Sequence, residues 1–311
     1  MATELVAGID LGTTSVRAGV FDHRGRRVGL VGRPLASSHP FAGAVEQDAE
    51  SLVAESVRVL HAACEQAGCA VHEVGALGIT NQRASVVAWD AVTGAALHPV
   101  IGWQDTRTAS RCAELQALGL PVTTSASCTK LEWLAAGHPP CLEAAAAGRL
   151  RLGTIDTWLT WRLSGGQVNV TDPSNAGATG LYLLGALDWN PVALELFHVD
   201  QDTLPAVVAT DGRIAATDAS VVGAEIELAA RAGDQMAACV AHAFSPGDTQ
   251  RNPLCLTRQQ AQIDEGVVHL ACISEGRHVE RYVAQPDGGK PQLFGQLNAF
   301  QVSGHGRCRT L

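Results

Sequence analysis

The chain of 311 residues has 46% hydrophobic and 17% charged side chains and a net charge of −9. That length suits one large domain or two ordinary ones with a sizeable core, and the acidic balance argues against a general electrostatic grip on nucleic acid or an anionic membrane. No apolar run approaches the roughly 18–20 residues that a bilayer span needs, and Glu4 stands where a signal peptide needs basic and then apolar residues. Nine cysteines, an odd number without Cys-x-x-Cys spacing, argue against a disulfide framework and a zinc site. The expectation is a soluble, cytoplasmic, globular protein with no nucleic-acid or membrane partner. Its state of assembly, a homo-oligomer included, stays open.

Glu4-Leu-Val-Ala-Gly-Ile-Asp10 reads as an apolar strand ending in an acid. Leu11-Gly-Thr-Thr-Ser15 is a turn, and residues 16–22 and 27–33 read as second and third strands, so the opening predicts an antiparallel meander. A helix comes next, with Asp48 as N-cap, a buried stripe of Val53, Val57, Leu60 and Cys64, and Gly68 as its stop. Residues 74–80 form a buried strand, and strand-like and helix-like segments then alternate as far as Phe244. Meander first and alternation later predict a mixed-sheet α/β domain. Residues 249–311 differ in character. They hold seven basic and five acidic side chains against 15 and 26 before them, and as many glutamines, eight, as the first 248 residues. They lack helical periodicity and are expected to be weakly structured.

Four clusters carry polar chemistry. Asp10-Leu-Gly-Thr-Thr-Ser15 places an acid able to hold a divalent cation before a glycine and two threonines able to meet phosphate oxygens, with Arg17 beyond. An ordinary hairpin with a capped turn has the same residues. Gly78-Ile-Thr-Asn-Gln-Arg83 closes a buried strand with polar residues that either line a crevice or satisfy loop backbone. Trp103 stands beside polar neighbours, as a substrate platform or a core tryptophan. Gly233-Asp-Gln235 opens an alanine-rich helix, where Asp234 is either a helix cap worth about 1 kcal/mol or a general base for phosphoryl transfer to an alcohol.

Taken in order, these clusters resemble the FGGY carbohydrate kinases, most of all the glycerol kinases, over about the first 248 residues. The resemblance rests on Gly8-Ile-Asp-Leu-Gly-Thr-Thr-Ser15, Gly78-Ile-Thr-Asn-Gln-Arg83, Gly102-Trp-Gln-Asp105, Thr129-Lys-Leu-Glu-Trp133 and Gly153-Thr-Ile-Asp-Thr-Trp158. It continues through Val170-Thr-Asp-Pro-Ser-Asn-Ala176, Leu187-Asp-Trp189 and Ala232-Gly-Asp-Gln235. It implies an actin-like, ribonuclease-H-like α/β domain, a mixed β-sheet flanked by helices, forming the substrate-binding half of a two-domain kinase. It implies ATP and Mg²⁺, with Asp10 at the metal and Thr13, Thr14 and Arg17 near the phosphates. Gln82, Arg83, Trp103, Asp234 and Gln235 match positions that hold a small polyol or sugar, and Asp234 matches the carboxylate that takes the proton from the attacking hydroxyl. Two residues depart from the glycerol kinase pattern: Ala84 replaces a glutamate that binds substrate hydroxyls, and Ser125 falls where a pocket tyrosine is expected. Losing a carboxylate acceptor removes roughly 1.5–3 kcal/mol of charge-assisted hydrogen bonding, so the physiological substrate stays open.

The family pattern ends after Pro246-Gly247, and residues 249–311 supply neither its Gly-Thr-Gly phosphate turn nor its second domain. Arginine outnumbers lysine 20 to 2 and alanine is abundant, which suggests GC-rich coding DNA, where stop codons are scarce in wrong frames; together with the abrupt end of the resemblance, this favours a frame disruption near codon 248. The other reading is a genuine divergent end. Without half of the ATP site the chain is expected to be inactive alone, and the alternative function is a catalytically dead polyol-binding or regulatory module.

Overall fold

Burial alternates along the first strands of the computed structural model. The residues described are 5–241, with the backbone of four further strands, Gln260–Asp264, Val267–Ala271, His278–Val283 and Gln292–Asn298. In Leu5–Leu11 (β1), Ala7, Ile9 and Leu11 point into the core while Val6 is exposed. Ser15–Phe21 (β2) and Arg27–Pro34 (β3) continue antiparallel, which is the expected meander. The helix Ala49–Ala67 (α1) begins where Asp48 accepts a hydrogen bond from the Ser51 amide, 2.6 Å, and stops where Gly68 turns left-handed at φ 72°. Its buried face is wider than the predicted stripe. Leu52, Val59 and Ala63 join Val53, Leu60 and Cys64, while Val57 sits at the margin, half-buried. The helix lies flat on a sheet, and a flat support covers more than one row of side chains.

Val74–Asn81 (β4) pairs parallel with β1, and Glu227–Gly233 (β8) pairs parallel with β4. With Asp211–Ala216 (β7) antiparallel at the edge, the six-stranded order is β7-β8-β4-β1-β2-β3, a mixed sheet as expected. Val86–Asp90 (β5) and Leu150–Thr154 (β6) join the two-residue strands Glu46–Gln47 and Val100–Ile101 in a second sheet of four. β5 is buried throughout: Val87 and Trp89 face the core under the first sheet, and Val86 and Ala88 face a second core. Ile155–Leu163 (α2) comes directly after β6 and is buried on nearly every face. Its Trp158 and Trp161 pack on Trp89 with ring centroids 5.5 and 5.7 Å away. Such a helix has almost no solvent-facing side, because strands of both sheets pack against it.

Five cysteines of the described residues are free thiols, four of them buried, as small core side chains would be. The expectation of weak structure in residues 249–311 falls largely outside the described residues. The four strands described there pair two by two and antiparallel.

The packing can be tested at two positions. Gly29 on β3 has no room for a side chain, because a Cβ there would run into the Ala63 carbonyl of α1. Gly29→Ala is expected to lower unfolding free energy by about 1–3 kcal/mol, read from denaturant melts. Asp156 on α2 is fully buried beside Thr154 and Thr171, which donate hydrogen bonds to it, and 4.0 Å from the buried Arg231 guanidinium. Burial, reinforced by the Asp172 charge, raises its carboxyl to about 6 against the pull of those hydroxyls and Arg231. The folded state therefore keeps a proton that the unfolded chain loses near pH 4, so this contribution is full below about pH 4 and disappears as pH rises to about 6. Melts between pH 4 and 7 are expected to show that slope in the wild type and a flatter one in Asp156→Asn.

Candidate active site

The parallel register aligns three strand ends. Asp10 stands opposite Thr80, and Thr80 opposite Ala232; one step further on, Leu11, Asn81 and Gly233 lie level. The segments leaving these strands are therefore delivered to one edge: Gly12–Thr14 from β1, Gln82–Arg83 from β4, and Asp234–Gln235 from β8. At the C-terminal edge of parallel strands the chain leaves the sheet, which is where α/β folds generally form a crevice.

On one side of the crevice, Asp10 faces Arg17 across the β1–β2 pair, 4.0 Å apart, both side chains partly open to solvent. Burial raises the Asp10 carboxyl above its ordinary range; Arg17 opposes the shift and Asp234 adds to it, which places the Asp234 charge within reach. On the other side, the helix Asp234–Ala241 (α3) starts directly from β8, and its Asp234 side chain is about half exposed at 46%. Arg83 donates to the Gln235 amide oxygen and lies 3.9 Å from the Asp234 carboxylate. Its aliphatic stem crosses Gly233, where any Cβ would collide with it. The glycine before Asp234 is thus required by the arginine beside it.

Below the crevice the polar groups bind one another. Gln82 is buried, at 2% exposure, and its amide donates to the Gly12 carbonyl, 3.2 Å, and to Gln47, 2.8 Å, while accepting from the Ser85 hydroxyl, 3.1 Å. Gln47 in turn donates to the Thr13 carbonyl, 3.0 Å. The Trp103 indole N–H donates to the Thr13 hydroxyl, 3.0 Å, and its backbone N–H to Ser85, 2.9 Å. Thr14 is exposed at the tip of the turn. The structure brings together all of the expected residues: Asp10, Thr13, Thr14 and Arg17 on one side, Arg83, Asp234 and Gln235 on the other, Trp103 bridging towards Thr13, and Gln82 beneath.

Three residues of this arrangement have no role that sequence alone assigns. Gln47 and Ser85 carry no signal beyond being polar residues near motifs. Lys130 lies within the Thr129-Lys-Leu-Glu-Trp133 motif, and its fully buried ammonium donates to the carbonyls of Trp103, 3.3 Å, Ala126, 3.4 Å, and Thr124. Burial pulls its pKa down to about 8. It ties the Trp103 loop to the segment carrying Ser125, which is exposed and bonded to Thr123. Ala84 is buried in the left-handed region, φ 63°, with its carbonyl accepting from the Ser127 hydroxyl, 3.1 Å. A side chain other than glycine is uncommon there.

A carboxylate beside a flexible cation, a threonine turn and a second carboxylate beside a guanidinium make a site suited to a phosphorylated ligand next to a hydroxyl compound. Solved structures that the chain resembles include a sugar kinase and a glycerol kinase. A xyloylose kinase from Brucella ovis matches with TM-score 0.67 and 26% identity over 78% of this chain and 52% of that one. A Plasmodium falciparum glycerol kinase with ADP shares the fold at TM-score 0.74 and 22% identity, over 96% of this chain and 61% of that one. The architecture is the actin-like, ribonuclease-H-like one of sugar kinases. Residues 5–241 match the N-terminal domain of the FGGY family of carbohydrate kinases, and the chain belongs to that family. Curated glycerol kinases from Bordetella parapertussis and Symbiobacterium thermophilum are each 40% identical to it, over 257 and 256 residues. Both alignments cover 79% of this chain and 51% of the relative, so the chain spans about half the length of the curated relatives it matches.

The coupling across the crevice is measurable. Asp234→Asn is expected to bring the Asp10 carboxyl down towards its ordinary range, and Arg17→Gln to move it further up, in a carbon-detected NMR titration. An Asp10 titration indifferent to Asp234 would show that the two carboxylates do not share a site.

Proposed function

We propose that the chain provides the substrate-binding half of an ATP-dependent kinase acting on a hydroxyl of a small polyol or sugar. The observation that carries this reading is the meeting of Asp10, Arg83, Asp234 and Gln235 at one sheet edge, within a chain that belongs to a carbohydrate kinase family.

Asp234 is the general base. Its carboxylate is open to the crevice and takes the proton of the attacking hydroxyl as that oxygen bonds to the γ-phosphorus and the bond to the ADP oxygen breaks. Arg83 holds Asp234 and Gln235 in place, and with Trp103 and Gln235 it orients the substrate. Gln82 acts from beneath, fixing the Gly12 and Thr13 backbone. Thr13, Thr14 and Arg17 take the phosphate side, where hydroxyl, amide and guanidinium donors suit phosphate oxygens. Asp10 suits Mg²⁺: its carboxylate is partly open to solvent and stands just before the Gly12–Thr14 turn. Magnesium on a nucleotide keeps waters and phosphate oxygens and asks for only one or two carboxylates. When bound, it neutralises charge on the phosphates. Catalysis of this kind consists of alignment and charge neutralisation.

Titration calorimetry with a panel of polyols and sugars, with and without MgATP, tests the reading. Binding of both ligands supports a kinase half that retains its nucleotide contacts; polyol heats without nucleotide heats support the polyol-binding module; no polyol heat overturns the proposal. Where turnover is measurable, Asp234→Asn is expected to lower it by about 10²–10⁴-fold. Because an alanine methyl cannot accept a hydrogen bond, Ala84→Glu is expected to tighten glycerol binding by roughly 10–100-fold, the equivalent of one charge-assisted hydrogen bond.

A further inference from the structure

The Val170-Thr-Asp-Pro-Ser-Asn-Ala176 motif touches no expected ligand, yet its turn reaches two of the strand ends that carry the site. Asp172 is fully buried. Its carboxylate accepts from the amides of Ser174 and Asn175, both 3.1 Å, from the Asn175 side-chain amide, 2.8 Å, and from the Thr210 hydroxyl, 2.9 Å. The turn so stiffened makes two outward contacts. Asn175 and Asn81, both fully buried, exchange side-chain amide hydrogen bonds of 2.9 and 3.3 Å, which fixes the end of β4 two residues before Arg83. The Ser174 hydroxyl accepts from the Gly233 amide, 2.8 Å, which fixes the end of β8 one residue before Asp234. Arg231, also buried, adds a hydrogen bond to the Thr171 carbonyl, 3.3 Å.

The Gly233 amide matters because it lies where strand becomes helix. An amide at a helix start has no carbonyl of its own helix to meet and depends on an outside acceptor. Ser174 is that acceptor, and it is held by the Asp172-capped turn rather than by β8. The position of the first turn of α3 is thus referred to the same rigid turn that holds β4.

We propose that Ser174 and Asn175 are positioning residues: together they set the distance between Arg83 and Asp234 by fixing both strand ends to one turn. Their effect on substrate rests on the proposed role of Asp234, but the geometric claim can be tested without it.

The test uses the full chain and the variants Ser174→Ala and Ser174→Thr, with three readouts: backbone amide exchange, the NMR shifts of the Arg83 guanidinium and the Gln235 side-chain amide, which bond to each other, and polyol binding by calorimetry. In Ser174→Ala, the Gly233 and Gln235 amides are expected to exchange at least tenfold faster while β1 and β4 amides keep their rates. The Arg83 and Gln235 side-chain shifts should move, because the start of α3 has shifted relative to β4, and polyol affinity should fall threefold to tenfold. Ser174→Thr, which keeps the hydroxyl, should restore all three. Should the alanine variant not fold, Ser174→Cys supplies a weaker acceptor and is expected to give smaller changes of the same kind. A uniform rise in exchange with unchanged Arg83 and Gln235 side-chain shifts, or no rescue by threonine, would mean that the turn is only scaffold and would overturn the proposal. If exchange and side-chain shifts change as expected while the wild type binds no polyol, the positioning role stands and the proposed function falls.

Discussion

Parallel pairing in the middle of the sheet is the constraint on which the site depends. β1, β4 and β8 run side by side in the same direction, and parallel neighbours in register must end at the same edge. Residues separated by more than 200 positions, Asp10 and Asp234 among them, are thereby placed within electrostatic reach without any direct bond between them. The antiparallel strands β2, β3 and β7 have different roles. β2 returns Arg17 beside Asp10, and β7 closes the far edge.

The design has a cost in buried polarity, because strand ends packed against loops must satisfy their own backbone. Here much of that demand is met by side chains. Gln82 and Gln47 hold the carbonyls of the Gly12–Thr14 turn, Ser85 braces Gln82 and the Trp103 amide, Lys130 serves three carbonyls near Trp103, and Asp172 organises the turn behind β4 and β8. Buried groups in such networks are stable only when nearly all partners are present.

Much of the fold was legible in residue order. Three strand-like runs joined by short turns in residues 4–33 showed the meander, Asp48 and Gly68 bracketed the first helix, and the run ending at Thr80 showed a buried strand that the structure extends to Asn81. The width of the helix stripe was not legible, since Val57 falls on the same side as Val53 and Leu60 by spacing alone and only the flat sheet beneath decides the margin. The site was legible as a set of motifs and not as a geometry. Gln82 has the look of a ligand-binding residue beside Arg83, yet a buried strand end turns the two side chains to different neighbours.

The sequence alone determined the element types, the family and the identities of the groups available for chemistry, because these depend on local periodicity, caps and motif order. It also showed the change of character after residue 248 and the departures at Ala84 and Ser125. Tertiary structure decided which of those groups meet. The left-handed backbone at Ala84, the crossing of Arg83 over Gly233, the burial of Gln82 and the joining of β4 to β8 through Ser174 and Asn175 all come from contacts between distant segments. Such contacts leave no periodic trace, since each is a single pair of residues brought together only when the sheet assembles.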